Sequence, residues 1–525
     1  MSNIKVLDCT LRDGGYCNDW CFGKQNIKKI IDNLKESGID YVECGYLTEK
    51  YVLSDDYSLF HSITDIENLV TDSFTNTRFV FMINYGEYPI EKIPVKEKNN
   101  IFGIRIAFNK KDLDEALCYC EKIKEKGYEV FVQPMVSLSY SDMEFIDLIH
   151  KVNRIKPYVF YIVDSFGVMK RKDLIRLFYT VDNNLDNNIA IGYHSHNNMQ
   201  LAYSNAQTLV DIRTNRHIII DTSTYGMGRG AGNLNTELFV EYLNDCIETN
   251  YFLKPLLVII DEVLEGFYKQ NYWGYSLSNY LSAKHNAHPN YATFLDEKKT
   301  LTVEVMDEIF SLLDSKRKVK FDKAYIEELY LNYLKNGKTQ NLHLAELRKD
   351  LCSKRILVIA PGKSSIEEKD RIISFAAQSE TLTIGVNFDY SEFDTDYIFL
   401  SNLRRYKELN ESKKAKCIVT SNIPSVDSFA RINYSLLLNH EEGVRDNAGL
   451  MLIKFLINMG VKKVYLAGID GYSIDPSMNY GNIKMVLYNK KAQIDVLNEG
   501  MNCVLREFSK EIDIEFVTTQ KFINI

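Results

Sequence analysis

Signals for export, for membrane insertion and for nucleic-acid binding are all missing from the sequence. Its net charge is −8, so no basic excess favours contact with nucleic acid or with an acidic membrane surface. No apolar run approaches the ~18 residues of a membrane span, and the N-terminus lacks the basic and apolar pattern of a secretion signal. We therefore expect a cytoplasmic protein with no nucleic-acid partner and no membrane span.

Three common binding motifs are missing as well. The ten cysteines show no paired zinc spacing, which is typical of reduced thiols in a cytosolic enzyme. Neither a Walker A loop nor a GxGxxG motif occurs, so a nicotinamide-dependent dehydrogenase is not expected. With 45% hydrophobic and 26% charged residues, the composition is that of a globular protein of two or three domains.

The first 245 residues repeat a pattern of strand and helix. Helical segments such as 26–38 and 113–127 end at a glycine that suits a helix C-cap, and they alternate with short β-branched runs. These runs cover residues 4–10, 41–47, 78–84, 102–108, 130–136, 159–165, 189–196 and 217–223. Eight such units predict an α/β fold, a parallel (β/α)8 TIM barrel over residues 1–245, with an open doubly wound sheet as the alternative.

Polar side chains gather where these runs end, which is the end at which such barrels carry out chemistry. They are Asp8, Arg12, Asp13, Glu43, Arg105, Gln133, Asp164, His194, His196 and Asp221. From this region we predict Arg105, Gln133, Ser165 and Asn198 as substrate contacts.

The chain after the barrel divides into two further regions. Residues 246–350 are helical in pattern and rich in aromatics, and we expect a helical extension that completes the site. Strand runs return in residues 353–525 around a long helical stretch at 449–460, which predicts a smaller doubly wound Rossmann-like domain. The turn at 361–365 either presents backbone N–H groups to a phosphate or is an ordinary tight turn.

Two histidines mark the centre of the barrel's chemistry. His194 and His196 lie two apart on a strand, so both imidazoles project from one face. At the end of the first run, Asp13 is a hard oxygen ligand, and the neighbouring Arg12 is a fixed donor to a developing enolate. One carboxylate and two imidazoles suit Mn²⁺, Mg²⁺ or Co²⁺. Asn233, in the turn after the last run, is either a further ligand or a substrate contact.

Three motifs, in this order, carry a resemblance over residues 4–240: TLRDG at 10–14, HSHNN at 194–198 and GMGRGAGN at 226–233. They resemble the metal-dependent aldolase and Claisen-condensing TIM-barrel family. This family contains 4-hydroxy-2-oxovalerate aldolase, hydroxymethylglutaryl-CoA lyase, and isopropylmalate and homocitrate synthases. The resemblance implies that Asp13, His194 and His196 bind a divalent metal, with Mn²⁺ the first choice. It also implies that Arg12 stabilises an enolate and that Glu43 supports the site.

The sequence departs from that family at the general base. The oxovalerate aldolases carry a histidine at about the position of Tyr16, and the catalytic cysteine loop of the lyase is absent, with Arg229 in its neighbourhood. Tyr16 is therefore one candidate base. Because the aldolases place a catalytic tyrosine after the barrel, Tyr275 is a second candidate, with His285 and His288 as further ones.

The resemblance implies a metal-dependent aldolase, a carbon–carbon lyase that cleaves a 4-hydroxy-2-oxo acid or adds pyruvate enolate to an aldehyde. A Schiff-base route is disfavoured, because Lys5 is the only lysine in the eight runs and lies near the wrong end of the first. Two alternatives stay open. One is an acyl-CoA-dependent Claisen-type synthase or lyase. The other is glycosyl or nucleotidyl transfer by the C-terminal domain, with the barrel as a scaffold.

The C-terminal domain carries a fainter resemblance on VIAPGKSS at 358–365, GVNFD at 385–389 and the stretch 449–472. These segments resemble Rossmann-like domains of sialyltransferase-like and polysaccharide-synthesis proteins. The resemblance implies a nucleotide-sugar ligand and a part in surface-polysaccharide precursor synthesis. The implied contacts are Gly362, Ser364, Asn387 and Asp470. The other expected partners are a small 2-oxo acid substrate and further copies of the chain in a homo-oligomer.

Overall fold

The chain forms two compact units in the computed structural model. The barrel unit comprises Met1–Thr293 and Leu313–Phe321, and the C-terminal unit comprises Phe294–Leu312 and Asp322–Ile525. The segment predicted as a helical extension, 246–350, contributes residues to both units. The structure describes residues 3–49, 54–66, 70, 76–96, 101–298, 301–335, 343–423, 426–482, 491–521 and 523.

The barrel unit contains a closed parallel sheet. Its strands are β1 (Ile4–Asp8), β2 (Tyr41–Leu47), β3 (Leu59–Phe60), β4 (Arg78–Asn84), β5 (Ile101–Phe108), β6 (Glu129–Pro134), β7 (Val159–Asp164), β8 (Ala190–Ser195) and β9 (Ile218–Thr222). From β4 to β9 each strand pairs with the next, β2 pairs with β4, and β1 pairs with both β9 and β2. These pairings close eight strands into a barrel, with the short β3 beside β2. The eight-stranded barrel is confirmed, and the open-sheet alternative is wrong for this unit.

The helices of the barrel unit bury one apolar face against the strands. In α2, for example, Ile27, Ile30, Ile31 and Leu34 follow helical spacing and are all buried. The helices are α1 (Thr10–Asp13), α2 (Lys24–Glu36), α3 (Leu113–Glu125), α4 (Asp142–Ile155), α5 (Arg171–Asn184), α6 (Ala202–Asp211), α7 (Thr236–Ile247), α8 (Leu253–Ile259), α9 (Glu265–Gln270), α10 (Leu277–Lys284) and α11 (Pro289–Glu297), the last with residues in both units.

The interior of the barrel changes from apolar to polar along the strands. Alternate residues of each strand face inward, and the inward residues near the amino ends form one apolar cluster that includes Leu7, Tyr41, Phe131, Tyr161 and Ile219. The next inward positions toward the carboxyl ends are polar and buried: Glu43, Arg105, Gln133, His194 and Asp221. A layer of charged side chains therefore lies directly on the apolar core.

The C-terminal unit is built on a second, fully parallel sheet. Its strands are β10 (Arg355–Ile359), β11 (Thr381–Val386), β12 (Tyr397–Leu400), β13 (Cys417–Thr420), β14 (Ala430–Ile432), β15 (Lys463–Ala467) and β16 (Asp513–Phe516). The strand order is β14-β13-β12-β11-β10-β15-β16, so the chain reverses its direction of travel across the sheet at β10. The predicted smaller parallel α/β domain is confirmed; the three-residue β14 was not predicted.

The helices of this unit are α12 (Val303–Ser311), α13 (Lys323–Lys335), α14 (Leu344–Ser353), α15 (Ser364–Glu367), α16 (Lys369–Ala376), α17 (Leu403–Glu408), α18 (Glu411–Lys414), α19 (Tyr434–Leu437), α20 (Ala448–Met459) and α21 (Lys491–Phe508). α20 matches the predicted stretch 449–460. Across the part of the chain that the structure describes, no helix is both long and apolar enough to cross a membrane.

Candidate active site

Three metal-ligating side chains meet at the carboxyl end of the barrel. Asp13 comes from α1, the helical turn after β1, while His194 lies on β8 and His196 directly follows that strand. One ligand atom from each lies within 4.8 Å of the others, and all three side chains are buried. The predicted ligands are therefore brought together in a potential site for a divalent cation, since a carboxylate and two imidazoles are a common ligand set for such ions.

The two imidazoles are held in different ways. His194 Nδ1 lies 3.0 Å from Asp221 Oδ2, so this carboxylate orients the ring and leaves the other nitrogen for a ligand bond. His196 Nδ1 is buried, and no residue within the described ranges forms a hydrogen bond with it. Burial lowers the pKa of His196 to about 3, even though the Asp13 carboxylate acts in the opposite direction. At neutral pH the ring is therefore uncharged, which is the form that binds a metal.

Asp13 accepts hydrogen bonds on both carboxylate oxygens. Arg12 Nη1 donates to Oδ1 at 2.6 Å, and Asn233 Nδ2 donates to Oδ2 at 2.5 Å. Burial acts to raise the pKa of Asp13, but the charge of Arg12 outweighs it and holds the pKa well below its usual value. Asn233 Oδ1 is buried, with no hydrogen-bond partner among the residues described. This free oxygen beside Asp13 fits the prediction that Asn233 is a further ligand.

Below the ligands, two arginines and two carboxylates form a buried network. Arg12 Nε donates to Glu43 Oε2 at 2.7 Å, and Arg105 Nη1 lies 3.1 Å from the same oxygen. Arg105 Nη2 donates to Asp221, which accepts from the Tyr161 hydroxyl at 2.9 Å. The network thus links Arg12 to Asp221, the residue that orients His194. Because each carboxylate has a cationic partner, all four charges can be buried together.

Two of the predicted substrate contacts, Arg105 and Gln133, belong to the buried network. Arg105 has no exposed surface, and with the Gln133 amide in the orientation that satisfies its neighbours, the Gln133 oxygen accepts from Arg105 Nε at 2.8 Å. Asn198 donates to the Phe166 carbonyl at 3.1 Å and accepts from Ala231 N at 2.8 Å, which holds the loop after β9. The Ser165 hydroxyl accepts from Val136 N at 2.9 Å.

Tyr16 and His288 are both linked to Arg229, a loop residue after β9. The Arg229 guanidinium lies 5.3 Å from the centre of the Tyr16 ring, and the Tyr16 hydroxyl lies 3.4 Å from that of Tyr46. His288 Nε2 lies 3.4 Å from Arg229 Nη1. Burial and the charge of Arg229 lower the pKa of His288 to about 2, so its ring is neutral.

The other two base candidates lie in more open positions. Tyr275 is exposed, with 49% of its surface accessible, and His285 is half-buried at the end of α10. Of the four candidates, Tyr16 and His288 are the two that the structure joins to the loop beside the ligands.

Several residues around the centre had no predicted role. The sequence identifies Asp221 only as a polar residue at a strand end. Its position two residues after inward-facing Ile219 predicts that it also faces inward. Tyr46 has no such signal, because the register of β2 with β4 shifts between Glu43 and Tyr46 and breaks the alternation. The pairing of Arg229 with His288 had no such signal, because 58 residues separate them in the sequence.

The loop after β9 tolerates no side chain at Gly228. A Cβ there would lie 2.1 Å from Asn233 Nδ2 and 2.9 Å from Asp13 Oδ2. We expect Gly228→Ala to displace both and weaken metal affinity about 10- to 100-fold, measured by titrating Mn²⁺ against the thermal midpoint. Gly266→Ala is the matched control, because a Cβ at that helical position meets nothing within 4 Å. Equal affinity in the two variants would contradict this geometry.

The predicted contacts in the C-terminal unit lie around the ends of β10, β11 and β15. Ser364 is fully buried and donates its N–H and hydroxyl to Asp470, at 2.7 and 2.5 Å. Asn387 Oδ1 accepts from Ser401 N at 3.0 Å. Gly362 N donates to the Gly468 carbonyl at 2.9 Å. Gly362, Asn387 and Asp470 also line a cavity.

Residues 105–259 match the family model described as HMGL-like. A protein named 4-hydroxy-2-oxovalerate aldolase from Geobacillus genomosp. 3 is 27% identical over 271 residues, which are 50% of this chain and 78% of that protein. A protein named oxaloacetate decarboxylase from Mycobacterium tuberculosis is 24% identical over 238 residues, 45% of this chain and 69% of that protein.

Among solved structures, the N-terminal domain of a Bacteroides vulgatus protein, described as a candidate aldolase, shares 27% identity, with a TM-score of 0.49, over 59% of this chain and all of that domain. The predicted resemblance of the barrel region to the aldolase family is confirmed by the family model and the sequence relatives, while the resemblance of the C-terminal domain stays a prediction. Residues 105–259 of the barrel unit are thus similar to the HMGL-like family, and the chain is similar to proteins named 4-hydroxy-2-oxovalerate aldolase and oxaloacetate decarboxylase.

Proposed function

We propose that the barrel unit is a divalent-metal-dependent aldolase that acts on a 4-hydroxy-2-oxo acid, or adds pyruvate enolate to an aldehyde in the reverse direction. The observation that carries this proposal is the meeting of Asp13, His194 and His196 beside a buried guanidinium. Arg12 Nη2 is buried, and no acceptor for it is found among the described residues. Such a donor suits a substrate oxygen on which negative charge develops.

The names of the relatives support the substrate class. 4-Hydroxy-2-oxovalerate and oxaloacetate are both 2-oxo acids, and breaking the bond between C3 and C4 in either one leaves the enolate of pyruvate. We therefore propose a substrate that carries the 2-oxo acid group and a 4-hydroxyl. A role in surface-polysaccharide precursor synthesis and the use of acyl-CoA remain predictions.

The residues present fit a bound cation. Asp13, His194 and His196 would hold it, with Asn233 Oδ1 as a fourth donor, and the mixed oxygen and nitrogen set suits Mn²⁺ first, with Mg²⁺ or Co²⁺ as alternatives. Bound there, the cation would supply Lewis-acid polarisation of the substrate carbonyl.

The chain's own side chains account for the rest of the reaction. A base takes the proton of the 4-hydroxyl, the bond between C3 and C4 breaks, the aldehyde leaves and the electron pair passes into the enolate. Arg12 donates to the enolate oxygen, and Glu43 fixes the guanidinium for this contact. A proton returned to C3 then gives pyruvate. His194 keeps its orientation through Asp221 during these steps.

Tyr16 and Tyr275 remain the two predicted tyrosine bases, and a matched pair of variants separates them. We favour Tyr16, because its ring lies 5.3 Å from the guanidinium of Arg229, in the loop beside the ligands. Tyr16→Phe should lower kcat about 100-fold, while Tyr275→Phe should leave kcat within about twofold. Steady-state cleavage assays measure both. A larger loss for Tyr275→Phe would assign the base to that residue instead.

Cleavage of 4-hydroxy-2-oxovalerate tests the proposed function directly. The purified chain with Mn²⁺ should release pyruvate, and removal of the metal by a chelator should stop the release. Borohydride added during turnover should attach nothing to a lysine. Lys5, the candidate for a Schiff base, is partly exposed and bound to Asp40 at 2.8 Å. A reduced lysine adduct, or release that survives chelation, would overturn the metal route.

A further inference from the structure

A cavity lies at the carboxyl edge of the C-terminal sheet. Its lining residues belong to the C-terminal unit and take no part in the barrel chemistry proposed above. Its volume is about 770 Å³, and it is lined by the loops that follow β10, β11, β12 and β15. β10 lies between β11 and β15, so the connections on its two sides leave in opposite directions. In open parallel sheets, this reversal point is where small-molecule ligands bind. The volume is in the range of ordinary ligand pockets.

The turn at 361–365 is not free to hold a ligand through its polar groups. The Ser364 N–H and hydroxyl both donate to Asp470, and the Gly362 N–H donates to Gly468. A Cβ at Gly468, where φ is +72°, would lie 2.0 Å from the Ala360 carbonyl oxygen. These contacts lock the loops after β10 and β15 against each other. They form the floor of the cavity, and the ligand contacts must come from other walls.

Four acidic side chains line the cavity, and each is engaged by a donor of the protein itself. Glu327 accepts from Arg445 at 2.7 Å, and Glu297 accepts from Gln493 at 3.1 Å. Asp446 accepts from the Tyr330 hydroxyl, and Asp470 accepts from Ser364. Glu327 is thus paired with a cation, while the other three carboxylates accept hydrogen bonds from neutral donors that hold their side chains in place.

The basic side chains of the wall are engaged differently. They are Lys298, Lys323, Arg404 and Arg405. Arg404 is exposed and its Nη2 donates to the Leu301 carbonyl oxygen at 3.0 Å, and among the described residues no carboxylate forms an ion pair with it. Lys298 Nζ lies 4.9 Å from the ring centres of both Phe294 and Tyr330. Arg405 does have a carboxylate partner, Glu408, at 2.9 Å, but that residue lies outside the lining.

The first turn of α20 adds positive potential to the same wall. Ala448 and Gly449 begin this 12-residue helix and line the cavity, and the N-terminus of a helix favours anions. The N-cap side chain of Asn447 accepts from Leu450 N at 3.1 Å, so a ligand at this turn would contact the N–H groups of Ala448 and Gly449. Arg404 and a helix N-terminus on one cavity are a combination that suits phosphate oxygens.

We propose that this cavity binds a phosphate-bearing small molecule of nucleotide size, with Arg404 and the first turn of α20 as its phosphate contacts. The site is independent of the metal centre in the barrel, and its ligand chemistry does not rest on the proposed aldolase activity. A nucleoside diphosphate and a free diphosphate share this chemistry, and the experiment separates them.

Isothermal titration of the full chain tests the proposal, with ADP, GDP, CDP, UDP and inorganic pyrophosphate as the five probes. At least one should bind, and Arg404→Gln should weaken that binding about tenfold, as expected for the loss of one charge-assisted contact. Arg371→Gln is the matched control, because Arg371 is an exposed arginine of the same unit that pairs with Glu368 and does not line the cavity. Preference for a nucleoside diphosphate over pyrophosphate would identify a nucleotide site, and the reverse would identify a site for free phosphates.

Three results would overturn the proposal. They are the absence of binding by all five probes, equal affinity of Arg404→Gln and Arg371→Gln, and loss of binding in Asp13→Asn. The last would place the ligand in the barrel. Thermal midpoints without ligand, compared for the variants and the unmodified chain, show whether any loss of binding comes from unfolding.

Discussion

Asp13→Asn is expected to remove metal binding and to lower the rate of 2-oxo acid cleavage by roughly 1,000-fold, a loss of several kcal/mol of transition-state stabilisation. An amide is a far weaker ligand than a carboxylate, and the substitution also removes the anion that holds Arg12 at 2.6 Å. Metal analysis of the purified variant and a cleavage assay measure the two effects separately.

Asp55→Asn is the matched control for this substitution. Asp55 is an exposed aspartate whose partner, Lys24, is also exposed, so the pair contributes little to stability. Adding Mn²⁺ should raise the thermal midpoint of Asp55→Asn, as it should for the unmodified chain, because a cation that binds only the folded state stabilises that state. A similar rise in Asp13→Asn would mean that Asp13 is not a ligand.

Arg105→Met is expected to destabilise the barrel unit by about 3–5 kcal/mol, although Arg105 contacts neither a predicted ligand nor a base candidate directly. Its guanidinium lies between Glu43 and Asp221, and all three side chains are almost completely buried. Removing the cation leaves Glu43 with Arg12 as its remaining cationic partner, and Asp221 with only its contacts to Tyr161 and His194, in a region that water does not reach. Urea unfolding, followed by the transition of the barrel unit, measures the effect.

The double variant Arg105→Met/Glu43→Gln distinguishes charge burial from loss of packing. Neutralising Glu43 removes one of the two buried negative charges, those of Glu43 and Asp221, that Arg105 contacts. The double variant should therefore be more stable than Arg105→Met alone. Arg371→Met, at an exposed position, should change stability by less than about 0.5 kcal/mol. If the double variant is no more stable than the single one, the destabilisation comes from packing and the account of the network is wrong.

Most of the barrel could be predicted from the sequence, because the regular spacing of β-branched runs is a local property. The observed strands begin and end within one or two residues of the predicted runs; β5, for example, covers Ile101–Phe108 against a prediction of 102–108. The side-chain period of two also placed His194 and His196 on one face. The same rule applied to β9 would have placed Asp221 beside them.

The supporting contacts could not be predicted, because they join residues that are distant in the sequence. The neighbouring sequence does not indicate that the Gln133 amide oxygen accepts from Arg105, or that Asn198 accepts from Ala231 N. The tyrosine-rich segment after the barrel predicts Tyr275 as a base, but this residue is exposed. His288, in the same segment, instead lies within 3.4 Å of Arg229. Composition identified the segment, but only the fold could decide which side chain turns inward.

The same limit applies to the C-terminal unit. Local runs predict its strands apart from β14, and the turn at 361–365 is predicted either to present N–H groups to a phosphate or to be an ordinary tight turn. In the structure, the N–H groups of Ser364 and Gly362 in this turn donate to Asp470 and Gly468. Arg404, which lies in α17, follows a strand of unremarkable sequence and becomes notable only because it shares a cavity with the start of α20.

The central claim is that one cation held by Asp13, His194 and His196 makes enolate chemistry possible in the barrel. The most direct test measures exchange of the C3 protons of pyruvate for deuterium by NMR, starting from metal-free protein and adding Mn²⁺ in steps. The account predicts no exchange without metal and a rate that rises in proportion to bound Mn²⁺ until one ion per chain is reached. Exchange in the metal-free protein, or none with one ion bound, would contradict it.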